Sequence, residues 1–293
     1  MRTPGYGAWM TRIAVVGSIN MDLVTRTARR PRPGETVLGT GFEPVPGGKG
    51  ANQAIAACRA GAQVEFIGAT GTDVFGTTLR KVLADNEIGT AGLRTIEGSS
   101  GVATIVVDES GENSIIVVGG ANTALAELTA ADLAIIADAD ILLCQLEILI
   151  DTVAEAARHA QAHGTLVLLN PSPARSLPAS IWSSVDIAVV NEGEAAQLDS
   201  ELGAVAHVLV TRGGEGASYR GPAGRFDHPG VAVEVLDTTG AGDTFTGALA
   251  AHWHEGPRTA LAWACAAGAL ATTVMGATVA IPAAEDIEAL LDD

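Results

Sequence analysis

One nine-residue segment places small residues directly before an acid and an apolar run. It reads Asp237-Thr-Thr-Gly-Ala-Gly-Asp-Thr-Phe245, and residues 244–253 have the pattern of a helix. Small residues at a helix start leave backbone N–H groups open to a ligand, and the positive end of the helix dipole favours phosphate. Asp243 in such a site fits a base that takes a proton from a hydroxyl attacking the phosphate. The same spacing also fits a plain strand-to-helix turn with Asp243 as its N-cap.

A second glycine-rich segment, Pro46-Gly-Gly-Lys-Gly-Ala-Asn-Gln-Ala54, leads into the first long helical pattern. Glycines there allow the backbone to approach a ligand closely, and Lys49 and Asn52 add polar groups at the helix start. The segment is not a P-loop, because Lys49 is followed by glycine and the G-x-x-x-x-G-K-[ST] spacing is absent. By itself it fits either a ligand loop or a purely structural turn.

Polar side chains follow three of the predicted strands. Asn20 and Asp22 stand at the end of the first strand, Glu147 follows a later one, and Asn191 and Glu194 follow a third. In open α/β sheets, ligands bind beyond the carboxyl ends of the strands. Amides and carboxylates suit sugar hydroxyls, and the acids after the third strand could organise Mg²⁺-bound water near phosphates. Turns stabilised by Asx hydrogen bonds, and a solvated helix start at Glu194, are the simpler alternatives.

Short apolar strands and helical patterns alternate through most of the chain and must position these groups. We predict strands at 12–20, 64–67, 141–145, 165–170, 185–190 and 207–211, and helices at 50–60, 75–86, 129–137, 150–163 and 244–253. This alternation predicts an α/β fold, with helices on both faces of a mostly parallel central sheet.

Two further regions are poor helix material. Residues 21–46 are interrupted by proline and glycine, and residues 101–119 contain two β-rich runs around a turn, which predicts a hairpin. Together they could build a small sheet that covers a site. We therefore divide the chain into an α/β core of residues 12–20, 47–100 and 120–293, a β-sheet lid of residues 21–46 and 101–119, and an N-terminal extension of residues 1–11 that we expect to be disordered.

The bulk composition excludes several classes of partner. The chain has 293 residues and a net charge of −17, with 17 Lys plus Arg, which argues against nucleic acid and anionic membrane surfaces. Cys58, Cys144 and Cys265 lie far apart, so we expect no disulfide framework and a cytoplasmic location. The first eleven residues lack the features of a signal peptide, and Met10 is an alternative start to Met1.

The uncharged segment 259–284 is long enough to cross a bilayer. It is rich in Ala, Gly and Thr rather than in Leu, Ile and Phe. We therefore predict a buried helix at 259–274, followed by a turn and a short strand at 276–281, and no membrane span.

Six motifs together resemble those of the ribokinase (PfkB) family of carbohydrate kinases, over about residues 13–290. They are Gly-Ser-Ile-Asn-Met-Asp at 17–22, Gly-Gly-Lys-Gly-Ala-Asn-Gln-Ala at 47–54, Gln-Leu-Glu at 145–147, Asn-Pro-Ser-Pro-Ala at 170–174, Asn-x-x-Glu at 191–194 and Asp-Thr-Thr-Gly-Ala-Gly-Asp at 237–243. The resemblance implies a ribokinase-like three-layer α/β/α fold with a β lid. It also implies ATP-dependent phosphorylation of D-ribose at its 5-hydroxyl, giving ribose 5-phosphate and ADP.

The same resemblance implies Mg²⁺ with ATP, K⁺ as an activating cation, and a homodimer formed through the lid. Asp243 would be the base, and the amides of Gly240, Ala241 and Gly242 would form the anion hole. The residues implied to contact ribose are Asn20, Asp22, Gly48, Lys49, Asn52 and Glu147. Those implied at the nucleotide are Asn191, Glu194, Thr211, Gly213, Gly216, Gly242 and Cys265. The monovalent-cation site would include Asp237, Thr239 and Gly276, and Glu194 would also lie in the Mg²⁺ region.

Two features depart from the family's pattern. Only nine residues separate Leu198 from Val208, where the family usually carries a longer stretch with a helix. Cys265 and Trp263 lie in the helix that would border the adenine site, so specificity for adenine does not follow from the resemblance. The alternatives are a related kinase for 2-deoxyribose or fructose, and an inactive regulatory module that would bind sugar without forming product.

Overall fold

Strands and helices alternate along most of residues 10–292, the part of the chain that the computed structural model describes. The strands are β1 (Arg12–Val16), β2 (Asn20–Thr27), β3 (Gly39–Gly47), β4 (Gln63–Gly71), β5 (Gly89–Ile96), β6 (Gly101–Val107), β7 (Asn113–Val118), β8 (Ile141–Cys144), β9 (Leu166–Leu169), β10 (Ile187–Asn191), β11 (His207–Thr211), β12 (Ala217–Gly221) and β13 (Gly224–His228). The helices are α1 (Lys49–Arg59), α2 (Val74–Asp85), α3 (Ala121–Ala124), α4 (Ala130–Asp138), α5 (Ile150–His163), α6 (Ala179–Trp182), α7 (Glu192–Gln197), α8 (Asp199–Leu202), α9 (Ala241–His252), α10 (Pro257–Ala271) and α11 (Ala284–Asp292).

The large sheet has nine strands in the order β13-β12-β11-β10-β9-β8-β1-β4-β5. Neighbouring strands from β11 to β5 along this order pair in parallel, whereas β12 and β13 pair antiparallel at one edge. The predicted α/β fold with a mostly parallel central sheet is therefore confirmed. The antiparallel edge hairpin and strand β5 were not among the predicted elements.

Strand β1 shows why helices cover both faces of this sheet. Successive side chains of a strand point to opposite faces. Ile13 and Val15 accordingly enter one hydrophobic core, together with residues of α1, α9 and α10. Ala14 and Val16 enter a second core, together with residues of α4 and α5. The continuous apolar run is thus the signature of a central strand that is buried on both sides.

The helix bounds follow local capping signals. Asp73 precedes α2 and accepts hydrogen bonds from the amides of Phe75 and Gly76. Thr129 and Asp132 form a capping box at the start of α4, which satisfies two backbone donors that the helix leaves free. The predicted helices at 75–86 and 129–137 lie within one residue of the observed bounds.

A separate four-stranded sheet has the order β3-β2-β6-β7. Strands β2 and β6 pair in parallel, and the outer pairs β2–β3 and β6–β7 are antiparallel. This small sheet is the second sheet that the sequence predicted, and the hairpin at 101–119 is its β6–β7 half. Most of β3 and all of β7 are exposed.

Two predictions about element bounds were wrong. The first strand ends at Val16, not at residue 20, and Asn20 begins strand β2 of the small sheet. Asn20 and Asp22 therefore lie on the small sheet and not at the end of a core strand. The predicted strand at 276–281 is instead a 3-10 turn, Thr278–Ala280, because Gly276 has a φ of 93° and breaks the extended backbone before it can pair.

The short connection between residues 198 and 208 is bridged by a single helical turn. Helix α8 has four residues and buries Leu202, after which the chain enters β11 directly. Strand β11 still pairs in register with β10, from Ile187 opposite His207 to Asn191 opposite Thr211. The short connection therefore leaves the parallel pairing of the sheet intact at β10 and β11.

Helices α1 and α9 approach each other closely at Gly247. A Cβ at this position would lie 2.5 Å from the carbonyl oxygen of Gln53 and 2.6 Å from the Cβ of Ala56. Only a residue without a side chain fits such a contact. This packing brings the start of α1 against the start of α9, where the two glycine-rich segments of the sequence meet.

Within residues 10–292, no helix is long and apolar enough to cross a membrane. Most of the predicted N-terminal extension, residues 1–9, lies outside the described part of the chain. Thr11, which we had included in it, is buried, and its hydroxyl donates a hydrogen bond to the carbonyl of Ala251 at 2.7 Å.

Candidate active site

Asp243 lies in the first turn of α9 and is 8% exposed. The N-cap of this helix is Gly240, which has a φ of 77° and offers no side-chain cap. The N-cap interpretation of Asp243 is therefore wrong, and its carboxylate is used elsewhere. A left-handed residue at this point turns the chain so that the first amides of α9 face outward from the helix.

The Asp243 carboxylate is held by two side-chain amides from α1. Gln53 Nε2 donates to Oδ1 at 2.9 Å, and Asn52 Nδ2 donates to Oδ2 at 3.2 Å. Gln53 Nε2 also donates to Asn170 Oδ1 at 3.0 Å, and Gln145 Nε2 donates to Gln53 Oε1 at 2.6 Å. A carboxylate oxygen has two lone-pair sites, so the amides orient the group and leave acceptor capacity for a further proton.

Asn52 is oriented in turn from the far end of the chain. The Thr278 hydroxyl contacts Asn52 Oδ1 at 3.0 Å and the carbonyl of Pro46 at 2.7 Å. With its oxygen facing that hydroxyl, Asn52 must turn its NH₂ group toward Asp243. The residue is 5% exposed, so water competes little for these contacts.

A small cavity of about 130 Å³ opens beside Asp243. Its walls include Lys49, Gly240, Gly242, Asn191 and Glu194. The negative charge of Asp243 raises the pKa of the Lys49 ammonium; burial opposes this, and Glu147 and Glu194 raise it further. Lys49 therefore brings a fixed positive charge to the cavity that Asp243 adjoins.

Three backbone amides at the start of α9 have no acceptor in the described part of the chain. They belong to Gly240, Gly242 and Asp243, whereas the amide of Ala241 donates to the carbonyl of Thr238 at 3.3 Å. Free amides at a helix N-terminus form a site for an anion. Of the three residues that we expected to form the anion hole, Ala241 is thus partly engaged within the turn.

Residues from two separate segments converge on the carboxylate of Glu147. Its Oε2 accepts hydrogen bonds from Ser18 Oγ at 2.7 Å, from the Lys49 amide at 3.1 Å and from Asn20 Nδ2 at 3.5 Å. Gly48, the N-cap of α1, packs its Cα against the backbone of residues 19 and 20. The expected sugar-contacting residues of the two loops are therefore adjacent, although Lys49 directs its side chain to the small cavity.

The carboxyl group of Asp22, on strand β2, has a pKa well above its usual value. Burial raises its pKa from 3.8 to about 7, and the neighbouring carboxylates of Glu147 and Asp243 add to the increase. Its Oδ1 is buried and has no hydrogen-bond partner among residues 10–292. A buried acceptor without a partner is costly, and a hydroxyl-bearing ligand would supply what it lacks.

A larger cavity of about 820 Å³ lies next to the small one and shares Asn191, Thr211 and Gly242 with it. It brings together the residues expected at the nucleotide: Asn191, Thr211, Gly213, Gly216, Gly242 and Cys265. Phe245 and the small residues Gly268 and Ala269 line its apolar wall. A volume of this size, with one polar end and one apolar wall, is typical of sites for small organic ligands.

Asn191 and Glu194 form a capping box at the start of α7. Asn191 Oδ1 accepts from the Glu194 amide at 2.8 Å, and the Asn191 amide donates to Glu194 Oε2 at 2.9 Å. The helix-start alternative for Glu194 therefore holds. Both residues nevertheless line the small cavity, so capping and ligand contact are compatible here.

The three residues that we expected at one monovalent-cation site lie in contact: Asp237, Thr239 and Gly276. Asp237 Oδ1 accepts from the amide and hydroxyl of Thr239 at 2.9 and 2.6 Å, and Oδ2 accepts from the Gly276 amide at 2.9 Å. Burial by itself would raise the pKa of Asp237, but these hydrogen bonds, together with the charge of Arg26, lower it. The carboxylate is thus kept ionised directly behind the turn that carries Gly240.

From the sequence we had assigned no function to several residues whose hydrogen bonds orient the side chains of the site. Gln53 and Asn170 belong to motifs that we had recognised, so a signal for them was present. Asn122 and Thr278 carried no signal, because each acts on a side chain more than 100 positions away.

Residues 10–284 match the family model for pfkB family carbohydrate kinases. A ribokinase from Bacillus subtilis (strain 168) is 40% identical, with 96% of this chain and 100% of that protein covered. A deoxyribokinase from Salmonella typhi is 34% identical, with 82% of this chain and 85% of that protein covered.

Among solved structures, that of Arabidopsis thaliana ribokinase complexed with ribose and ATP has a TM-score of 0.90 at 30% identity, and 97% of this chain and 100% of that chain are covered. This chain belongs to the pfkB family of carbohydrate kinases.

Proposed function

We propose that this protein transfers the γ-phosphoryl group of ATP to the 5-hydroxyl of D-ribose, giving ribose 5-phosphate and ADP. The observation that carries the proposal is the position of Asp243. Its buried carboxylate adjoins the cavity that Lys49 and the free helix amides line, and it is oriented from α1, whose first turn also carries sugar-suited groups. The ribokinases to which the chain is similar make ribose and ATP the first substrates to test.

In the proposed reaction, Asp243 accepts the proton of the attacking hydroxyl. The O–H bond breaks as the new O–P bond forms, and ADP leaves with the electrons of the broken P–O bond. Charge that develops on the transferred group would be stabilised by the amides of Gly240, Gly242 and Asp243 and by the Lys49 ammonium. The amides of Asn52 and Gln53 each hold one carboxylate oxygen, which fixes the orientation of Asp243 beside the cavity.

The sugar would lie against Asn20, Asp22, Asn52 and Glu147. These side chains combine carboxylate acceptors with amide donors, which is the complement that adjacent hydroxyls require. The unpartnered Oδ1 of Asp22 supports this placement, since a sugar hydroxyl would satisfy it. Water would be displaced from the carboxylates as the sugar enters.

The donor set fits Mg²⁺ bound together with the nucleotide. Within residues 10–292, no three His, Cys, Asp or Glu side chains group into a metal cage, and Mg²⁺ is often held by substrate phosphates with one or two carboxylates and several waters. Glu194 lines the small cavity and would orient such waters. The ion would neutralise phosphate charge near Lys49.

Asp237, Thr239 and Gly276 fit a monovalent cation such as K⁺, because the Asp237 carboxylate stays ionised beside the carbonyl-rich turn. A cation there would brace the turn that carries Gly240. Arg26 already contributes positive charge to Asp237, so the cation and this guanidinium would share one carboxylate.

We also propose a homodimer formed through the small sheet. Its edge strands expose Phe42 at 66%, Ile116 at 68% and Val118 at 55%, and unpaired strand edges with apolar side chains favour pairing with another chain. The free thiols of Cys58, Cys144 and Cys265 support the cytoplasmic location that we infer.

The substitution Asp243→Asn tests the assignment of the base. The substituted side chain keeps the shape of the carboxylate and one acceptor oxygen, and its NH₂ group opposes the NH₂ of either Asn52 or Gln53. We expect ribose and ATP still to bind while kcat falls about 10²- to 10⁴-fold. Turnover is followed by coupled ADP release, and binding by calorimetry. Asp286→Asn, at an exposed first-turn acid of α11, is the matched control and should keep wild-type turnover. Near wild-type kcat in Asp243→Asn would contradict the assignment.

A second candidate substrate is 2-deoxyribose, which the similarity to a deoxyribokinase favours. We would measure ADP release with ribose, 2-deoxyribose, fructose and adenosine under the same conditions. The highest kcat/KM for ribose supports the proposal, and a higher value for another sugar replaces ribose with that sugar. Sugar binding without any product would instead indicate an inactive regulatory module.

A further inference from the structure

Asn122 lies where the chain leaves the small sheet and re-enters the core. It follows β7, belongs to the short helix α3 and is 1% exposed. Neither its position nor its burial places it in contact with either cavity. All the hydrogen bonds of its side chain go to two consecutive residues, Ile19 and Asn20.

The backbone of Ile19 fixes which way the Asn122 amide points. Asn122 Oδ1 accepts from the Ile19 amide at 3.0 Å, and Nδ2 donates to the Ile19 carbonyl at 3.2 Å. A backbone N–H is always a donor and a backbone C=O always an acceptor. A flipped Asn122 amide would therefore oppose donor to donor and acceptor to acceptor.

This fixed amide sets the orientation of the next one. The remaining hydrogen of Asn122 Nδ2 is donated to Asn20 Oδ1 at 2.7 Å, so Asn20 must accept at that side. Its own NH₂ group is then directed toward Glu147 Oε2, 3.5 Å away. The chain of bonds runs from the fixed polarity of the Ile19 backbone, through Asn122, to the NH₂ group of Asn20.

The strand pairing of the small sheet reinforces this arrangement. Gly101, at the start of β6, pairs with Asn20 of β2. A Cβ at position 101 would overlap both Asn122 Nδ2 and Asn20 Oδ1. The side chains of Asn20 and Asn122 can therefore meet only because Gly101 has no side chain.

We propose that Asn122 is a positioning residue that fixes Asn20 as a hydrogen-bond donor to the sugar. This proposal rests on the proposed function, and it specifies which hydrogen-bonding group the sugar must present to Asn20. The group that meets Asn20 must accept a hydrogen bond from its NH₂, and beside Glu147 and Asp22 it must also donate one to a carboxylate. A hydroxyl does both, whereas an ether oxygen cannot donate and a C–H can do neither.

The test is a double-mutant cycle between positions 20 and 122. Asn122→Asp keeps an acceptor for the Ile19 amide but loses the NH₂ group that holds Asn20. We expect the KM for ribose to rise about tenfold, the effect of about 1.4 kcal/mol, while kcat and the KM for ATP change less than about threefold. In an Asn20→Ala background, Asn122→Asp should leave the ribose KM unchanged, because residues that act through one another are not additive.

A purely structural role predicts a different result. Asn122→Asp would then lower the melting temperature and affect the KM values for ribose and ATP alike, with equal effects in both backgrounds. That result, or an unchanged ribose KM in Asn122→Asp, would overturn the proposal. Asn113→Asp, on the exposed strand β7, controls for the added charge.

A second perturbation guards against loss of folding. If Asn122→Asp no longer binds ATP, Gly101→Ala takes its place, since the added methyl displaces the same two side chains. The wild-type protein is measured first, and an absence of ribose turnover rejects the proposed function. The double-mutant cycle is then run with whichever sugar is phosphorylated. The test of Asn122 is therefore independent of whether that sugar is ribose.

Discussion

The raised pKa of Asp22 makes a quantitative prediction about stability. Asp22 is a partly buried acid whose pKa is raised to about 7, because burial and then the charges of Glu147 and Asp243 disfavour its ionised form. In the unfolded chain it would ionise near 3.8. Between these two values the folded protein binds a proton that the unfolded chain has released. The folded state is therefore destabilised progressively as the pH rises through this window.

The size of the effect follows from the same interval. One pKa unit corresponds to about 1.4 kcal/mol, so the interval from 3.8 to about 7 is worth at most about 4 kcal/mol at pH 8. The substitution Asp22→Asn has nearly the same shape and no charge to bury. We compare the unfolding free energy of Asp22→Asn with that of the wild-type protein, both without ligand. We expect this difference to be about 2–4 kcal/mol more favourable to the variant at pH 8 than at pH 4–5, where the wild-type residue is largely neutral in the folded protein.

The assay is chemical denaturation of both proteins at pH 5, 6, 7 and 8. The difference between their unfolding free energies isolates position 22, because all other titrating groups are common to both. Asp286→Asn, an exposed first-turn acid, should give a difference that changes little with pH. A difference for Asp22→Asn that is equally flat from pH 5 to 8 would refute the reasoning, since it would mean that Asp22 ionises in the folded state as it does in water.

Three further predictions concern the cation, the dimer and the helix contact. Rates measured in Na⁺, K⁺ and Cs⁺ salts should differ strongly if the Asp237 loop binds a monovalent cation, and equal rates would remove that site. Ile116→Lys should convert a dimer to a monomer in light-scattering measurements while leaving sugar turnover detectable, and an unchanged mass would exclude this surface. Gly247→Val should cost about 1–3 kcal/mol or more by overpacking α1 against α9. It should also lower kcat by moving Gln53 from Asp243, and a wild-type melting temperature would contradict the contact.

The α/β architecture could be predicted from the sequence because its signals are local. The apolar runs of β1 and β8 alternate with amphipathic helices, and capping residues such as Asp73 and Thr129 mark where helices begin. Errors arose where tertiary contacts decide the backbone. Asn20 could be assigned to the end of a core strand because sequence does not reveal that it pairs with Gly47 and Gly101 in a different sheet.

The sequence by itself determined the chemical groups of the site and the two loops that carry them. Glycine before an acid at a helix start already specified free amides near a carboxylate. Tertiary structure decided which way each group points and how it ionises. Asp243 is oriented by Asn52 and Gln53 across some 190 residues of chain, and Asp22 acquires its pKa of about 7 from burial and two distant carboxylates. Hydrogen-bond direction and desolvation depend on what lies within a few ångströms, and only the folded chain brings those neighbours together.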